Sequence, residues 1–336
     1  MLLSISSFNQ RPNRYWLVAL VIATITASLL IASLERHWRS SGYKPAILDS
    51  YQLWSAQREQ ANADKALVFI GASRTQFGID MQTVKAMLPS WQPVMLAVNG
   101  HYPLATLKDL AQDQSFKGTV IVDIDSRGMH LSNREAQQAY VSYYHNRWSP
   151  NWHIHRLLLT SWQQHMATAR PALGAAPTLV RALDEAPAPH KFNFTLNPDR
   201  SGSIHFKGRN TETLAAFFNR GLQQDIERNP PPKPELWLKQ LEELADWVAA
   251  IELRGGRVIF YEPPVSGGQR TIAAQAYPEA IYWDGVMTEF NFTSLSYRHE
   301  PTLTGFKQPD GSHIQAESKP AYTWALINAL RNKQLL

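Results

Sequence analysis

The chain has 336 residues, 44% of them hydrophobic, enough to bury one large or two ordinary cores without covalent staples. It holds no cysteine, which excludes disulfides, thiolate metal sites and cysteine nucleophiles together and leaves His and carboxylates as the only metal ligands. The formal charge of +5 comes with 33 Lys and Arg residues scattered without a run of five or six, and no nucleic-acid partner is expected.

The first predicted element is apolar. From Tyr15 to Leu34, "YWLVALVIATITASLLIASL" carries no charge over 20 residues, about the length needed to cross a hydrocarbon core of roughly 30 Å as a helix. A cleaved signal peptide is the alternative. The stretch exceeds the roughly 7 to 15 apolar residues of such a segment, and no A-x-A triplet follows it. The reading is a tail (residues 1–14) and a transmembrane anchor (15–34), with Tyr15, Trp16 and Trp38 in interfacial belts. Arg11 and Arg14 precede the span while Arg36, Arg39 and Lys44 follow it, so the positive-inside count does not decide its orientation. A cytoplasmic tail and a main domain on the exported, periplasmic side of the inner membrane are expected, in keeping with the absence of cysteine.

Residues 35–64 read as a stalk or linker, and the amphipathic pattern from Pro45 to Asp64, with Leu48, Tyr51, Leu53 and Trp54 among polar residues, reads as a helix or stalk joining anchor to domain. The apolar run Ala66 to Ile70 in "KALVFIGAS" predicts a buried parallel strand ending in a turn. Second and third strands follow at Pro93 to Val98 in "QPVMLAVNG" and Gly118 to Asp125 in "GTVIVDID", with helical stretches at Met81 to Leu88 and Leu104 to Gln114. This order predicts an α/β domain over residues 65–336, a three-layer sandwich around a mostly parallel, flavodoxin-like sheet. Residues 134–233 read as an insertion: aromatic and His-rich helices, a mobile Ala- and Pro-rich linker "RPALGAAPTLVRALDEAPAP", and a hairpin around "NPDRSGS". A helix from Pro234 to Leu253, a fourth strand in "GRVIFYEPP" and a last helix from Ser318 to about Leu330 complete the domain.

In open parallel sheets reactive groups collect beyond the carboxyl ends of the strands. Ser73 occupies that position after the first strand, where Gly71 permits a sharp turn and backbone N–H groups lie near a nascent helix. A base is available in "DGSH": His313 is suited to take the serine proton, with Asp310 one turn upstream to fix its tautomer.

"FIGASRTQFGID", "LAVNG" and "PDGSHI" together resemble the motif blocks of the SGNH, or GDSL-like, hydrolase superfamily. The "GASR" form behind an N-terminal anchor is closest to envelope members that handle acyl groups on surface polysaccharides. The resemblance covers residues 65–130 and 255–332. It implies Ser73 as nucleophile, His313 as base, Asp310 as its partner, and no metal or organic cofactor. Members of the family usually supply oxyanion donors from a glycine in the second block and an asparagine in a G-x-N-D third block. Here "NGHYPL" leaves Asn99 and Gly100 as donors and "DIDSRG" has no asparagine, so Arg74 and Arg127 enter as strand-end cations able to substitute. The implied activity is an esterase or acyltransferase acting on an ester-linked acyl group of a cell-envelope carbohydrate. The alternative is a catalytically silent polysaccharide-binding or assembly subunit partnering a membrane-bound acyltransferase.

Three further signals have bland readings beside them. His153 and His155, with His145 and His165, suggest a metal only weakly, because i, i+2 spacing without a nearby acid fits poorly. Asp123, Asp125 and Glu262 are either a glycosidase acid pair or strand-end acids, one orienting Arg127 and another solvated. Tyr143, Tyr144, Trp148 and Trp152 are either a sugar platform or core.

Overall fold

The computed structural model describes residues 14–336, and the expected tail before residue 14 lies outside them. The chain enters through helix α1 (Arg14–Ser40) and α2 (Tyr51–Gln60), followed by β1 (Ala66–Ile70), α3 (Ser73–Gly78), α4 (Met81–Met87), β2 (Gln92–Met95), α5 (Leu104–Gln112) and β3 (Thr119–Asp123). Next come α6 (Gln138–Arg147), α7 (Trp152–His165), α8 (Ala175–Leu183), β4 (Phe194–Leu196), β5 (Gly202–Ile204), α9 (Thr211–Arg228) and α10 (Pro234–Glu252). The last elements are β6 (Arg257–Glu262), α11 (Gly267–Ala276), α12 (Glu279–Tyr282), α13 (Asp284–Glu289), β7 (Ser294–Ser296) and α14 (Lys319–Asn332). Two compact units result, one of residues 14–48 with Leu158–Lys191, the other of Asp49–Leu157 with Phe192–Leu336.

The larger unit is built on a five-stranded, all-parallel sheet in the order β2-β1-β3-β6-β7. Val68 stands opposite Val94 on one side and Val120 on the other, so the apolar runs read in the sequence lie in register. Because side chains alternate across a strand, each run serves two cores. Val68, Ile70, Val120, Val122, Val258 and Phe260 pack against helices contributing Trp54, Leu107, Trp237 and Leu241. Leu67, Phe69, Ile121, Ile259 and Tyr261 pack on the other face against Val84, Tyr322, Leu326 and Leu330. The three-layer α/β architecture is as expected.

Several elements differ from the sequence reading. Of the helix or stalk expected here, Tyr51–Gln60 is a helix, and it is packed on the sheet: Trp54 is fully buried and donates from Nε1 to the Leu96 carbonyl at 2.9 Å, while buried Arg58 meets Asp109 at 2.5 Å and Asp113 at 2.9 Å. The fifth strand, β7, is too short for a periodicity signal, yet it pairs parallel with β6. The hairpin falls around "NPDRSGS" as β4 and β5. It is held by Arg200, which makes a two-pronged pair with Asp49 at 2.8 and 2.9 Å and donates to the Met95 carbonyl at 2.9 Å.

In the smaller unit, the expected linker is helical as α8. Alanines favour a helix, and Pro177 falls in the first turn, where its missing N–H has no acceptor to lose. The last turns of α1 dock here. The Glu35 carboxylate accepts from the Ala167 and Thr168 N–H groups at 2.8 and 2.9 Å, and Trp38 and Tyr43 pack on Ala167 and Leu173. From Tyr15 to Ser40, α1 is long and apolar enough to cross a membrane, and its first five turns are exposed.

Candidate active site

In this sheet the strand order reverses direction at β1, whose neighbours are β2 and β3, and the crevice beyond the strand ends there is where open α/β sheets place ligands. Ser73 opens α3 at that point, after the two-residue Gly71-Ala72 link. Gly71 serves close approach more than a sharp turn. A Cβ there would lie 2.6 Å from Thr75 Oγ1 and 2.8 Å from Asp123 Cβ, so only hydrogen lets α3 sit this near β3. Its carbonyl is held by the Val98 N–H at 3.0 Å and by Gln137 Nε2 at 2.9 Å. In the first turn, the Ser73 and Arg74 N–H groups have no intrahelical acceptor.

The other half arrives on the loop before α14. Asp310 Oδ1 accepts from the Ser312 N–H at 3.0 Å and the His313 N–H at 2.8 Å, an Asx-type turn, with Gly311 left-handed at φ +82° between them. The Gly311 carbonyl accepts from the Ser266 N–H at 2.9 Å, fixing the loop to the segment after β6. With its backbone so held, Asp310 presents Oδ2 to His313 Nδ1 at 2.8 Å, and His313 Nε2 lies 2.8 Å from Ser73 Oγ, a residue 240 positions away.

Protonation follows from the geometry. Burial pushes the Asp310 carboxyl up, but its bonds from His313 and Ser312 outweigh that and hold it below the usual carboxylate range. An ionised carboxylate only accepts, so Nδ1 carries the imidazole proton and Nε2 offers its lone pair to the Ser73 hydroxyl.

Ser73, Arg74, Gly100, Arg127 and His313 line one cleft of about 410 Å³. Asp310 lies buried behind His313. Asn99 is not among the lining residues, and its N–H is donated to Gln76 Oε1 at 2.9 Å. That leaves Gly100, left-handed at φ +78°, as the lining residue of the second block. Neither cation is isolated. Arg74 pairs with Asp125 at 3.0 Å and Asp123 at 3.6 Å, and Arg127 pairs with Asp225 at 2.6 Å over the Tyr102 ring. Burial pushes the Asp125 carboxyl up and Arg74 and Arg127 more than reverse this, whereas burial dominates at Asp123, which is pushed up to about 6 despite Arg74 and the Thr75 hydroxyl.

No protein-family profile matches the chain and no curated protein is similar to it. Among solved structures, one described as that of TesA is among those similar to this chain, at 10% identity and a TM-score of 0.34, covering 80% of this chain and 98% of that one.

The cleft has walls the sequence reading did not assign. Phe217, Phe218 and Leu222 of α9 line it, with the Phe218 ring centroid 5.6 Å from that of His313. Adjacent phenylalanines on an amphipathic helix in the insertion were the available signal, but they look the same in any core helix. Gln76 and Gln137, both buried, brace the strand ends and leave no sequence pattern at all.

Of the remaining candidates, Asp125 and Glu262 line the cleft and the others do not. Glu262 is bonded to Ser296 and Arg298, and it and Asp123 are buried rather than solvated; Asp125 pairs with Arg74, and the acid bonded to Arg127 is Asp225 instead of one of these three. Tyr143 stacks on Tyr51 and Tyr144 packs on Trp54, while Trp148 donates to Glu59 at 2.7 Å. His145 and His153 each meet a single acid, Asp109 and Glu59. The one trio of potential metal ligands among the described residues is Glu279, Asp284 and His299, near the surface, where Glu279 also pairs with Arg298.

Proposed function

We propose that this chain is a membrane-anchored serine esterase or acyltransferase of SGNH-like type, acting on an ester-linked acyl group of a cell-envelope carbohydrate. The observation that carries the reading is the unbroken relay Ser73 Oγ, His313 Nε2, His313 Nδ1, Asp310 Oδ2, with both links at 2.8 Å and its serine on the cleft wall. Ser73 attacks the acyl carbonyl as its proton passes to His313 Nε2. The tetrahedral oxyanion faces the first-turn N–H groups of α3 and the Gly100 backbone. His313 returns the proton to the departing alcohol oxygen, leaving an acyl-serine, which water (hydrolysis) or an acceptor hydroxyl (transfer) then attacks with His313 as base. Phe218 and Tyr277 beside Asn133 and Gln269 suit the apolar face and the hydroxyls of a sugar ring.

A second reading, a catalytically silent polysaccharide-binding or assembly subunit beside a membrane acyltransferase, is favoured by one observation. The Asn99 N–H is already bonded and the three cleft arginines, Arg74, Arg127 and Arg298, all face acids, so oxyanion donors are few. Labelling of Ser73 by a fluorophosphonate probe, lost in Ser73→Ala and His313→Ala, together with release of p-nitrophenol from a short-chain ester, separates the two. A folded protein that neither labels nor turns over sinks the enzyme reading. The anchor is α1, with the larger unit on the exported side. A C-terminal alkaline phosphatase fusion, active only when exported, tests that topology.

A further inference from the structure

Helices α7 and α8 are amphipathic in the reverse of the globular sense. On α7, Arg156, Thr160 and Gln163 are buried, while Ile154, Leu157, Leu158 and Trp162 form a stripe at helical spacing on the outside, Leu158 being 66% exposed. On α8, Thr178 and Arg181 turn toward Trp38, while Leu179, Val180 and Leu183 face outward, Leu183 being 74% exposed. A soluble domain places such stripes against its core. Two neighbouring inversions need an apolar exterior.

Both helices are tied to the end of α1. Arg39 Nη2 donates to the carbonyl of His165, the last residue of α7, at 2.5 Å, and Trp38 Nε1 donates to Thr178 Oγ1 of α8 at 3.3 Å. Glu35, which holds residues 167 and 168, is the first charged residue after the 20-residue apolar run. The docking point therefore falls where a spanning α1 leaves the hydrocarbon, at headgroup level. The charge of this unit suits that depth: Arg36, Arg39, Lys44, Arg170, Arg181 and Lys191 outnumber Glu35, Asp184 and Glu185.

Resting on the reading of α1 as an anchor, we infer that α7 and α8 form a monotopic platform, their outward stripes seated in the lipid interface of the membrane that α1 crosses. The occupant of these faces is the bilayer surface itself, with anionic headgroups against the cationic rim. The anchor then holds the smaller unit flat on the membrane instead of tethering it on a flexible stalk.

The absence of native cysteine allows a direct test in the full-length chain. Leu158→Cys, Leu179→Cys and Leu183→Cys, with Leu29→Cys in α1, are labelled with an environment-sensitive fluorophore. They are then reconstituted into phosphatidylethanolamine–phosphatidylglycerol vesicles. The expected result is blue-shifted emission at positions 158, 179 and 183, quenched by nitroxide-bearing lipids and protected from aqueous iodide. Lipid quenching at 29 with iodide quenching at 158, 179 and 183 overturns the platform and leaves the anchor standing. Iodide quenching at 29 as well overturns both. A blue shift at 158, 179 and 183 without lipid quenching means that protein, from a second copy, covers these faces, and it overturns the lipid assignment.

Discussion

Replacing Asp310 by Asn probes the relay with the least disturbance to the fold. The amide keeps an oxygen where Oδ1 accepts from the Ser312 and His313 N–H groups at 3.0 and 2.8 Å, so the turn survives. What changes is the group 2.8 Å from His313 Nδ1, where an acceptor becomes an N–H donor. The imidazole must then carry its proton on Nε2, which points at Ser73 Oγ and has no lone pair to receive the serine proton. A tautomer error of this kind lowers turnover by about 10⁴-fold, equivalent to roughly 5.4 kcal/mol of barrier. Loss of one charge-assisted hydrogen bond costs about 2 kcal/mol of stability, a fall in Tm of roughly 4–8 °C that leaves the protein folded at assay temperature. The assay is p-nitrophenyl ester hydrolysis with thermal unfolding on the same preparation. A folded Asp310→Asn protein retaining more than about one tenth of native turnover, three decades above expectation, would refute the relay.

Three other outcomes follow from the packing. Gly71→Ala pushes a methyl to within 2.6 Å of Thr75 Oγ1, and overpacking of about 1–3 kcal/mol is expected as a lower urea midpoint at unchanged m-value, with reduced turnover because Ser73 is two residues away. Arg58→Ala leaves Asp109 buried without its cation, a loss of about 3–5 kcal/mol in urea unfolding; the double change Arg58→Met with Asp109→Leu recovers most of it. Asp123 is pushed up to about 6 from an ordinary 3.8, so between pH 4 and 6 the native state binds more protons than the unfolded one and stability falls as pH rises. Asp123→Asn flattens that window of the Tm-versus-pH profile, by at most about 3 kcal/mol, while Asp310, held low, contributes stability that is lost only at more acid pH.

Much of the architecture was legible in the sequence because its signals are local. Short apolar, β-branched-rich runs bounded by turn signals, as at Ala66 to Ile70 and in "TVIVD", favour strands, and their separation by helix-length segments leaves few topologies besides a parallel sheet. The 20-residue charge-free run of α1 is equally local, since length and composition alone decide whether a helix can cross a membrane. Short elements were not legible. β7 has three residues and depends on its pairing with β6, and the stretch of α2 left helix and stalk both open because only the sheet beneath Trp54 shows which face is inside.

The site divides in the same way. Ser73, Asp310 and His313 were candidates from residue type and from position beside strand and turn signals, and the family resemblance joined blocks that lie 240 residues apart. Tertiary structure alone decided that the Ser73 to His313 separation is 2.8 Å, that the Asn99 N–H is already taken by Gln76, and that Arg74 and Arg127 face acids. It also decided that α9 brings Phe218 over the imidazole and that α7 and α8 turn their apolar stripes outward. A sequence specifies which side chains are available and how each segment winds. Which of them meet depends on burial and on hydrogen-bond pairing between segments far apart in the chain, and neither leaves a periodic trace along it.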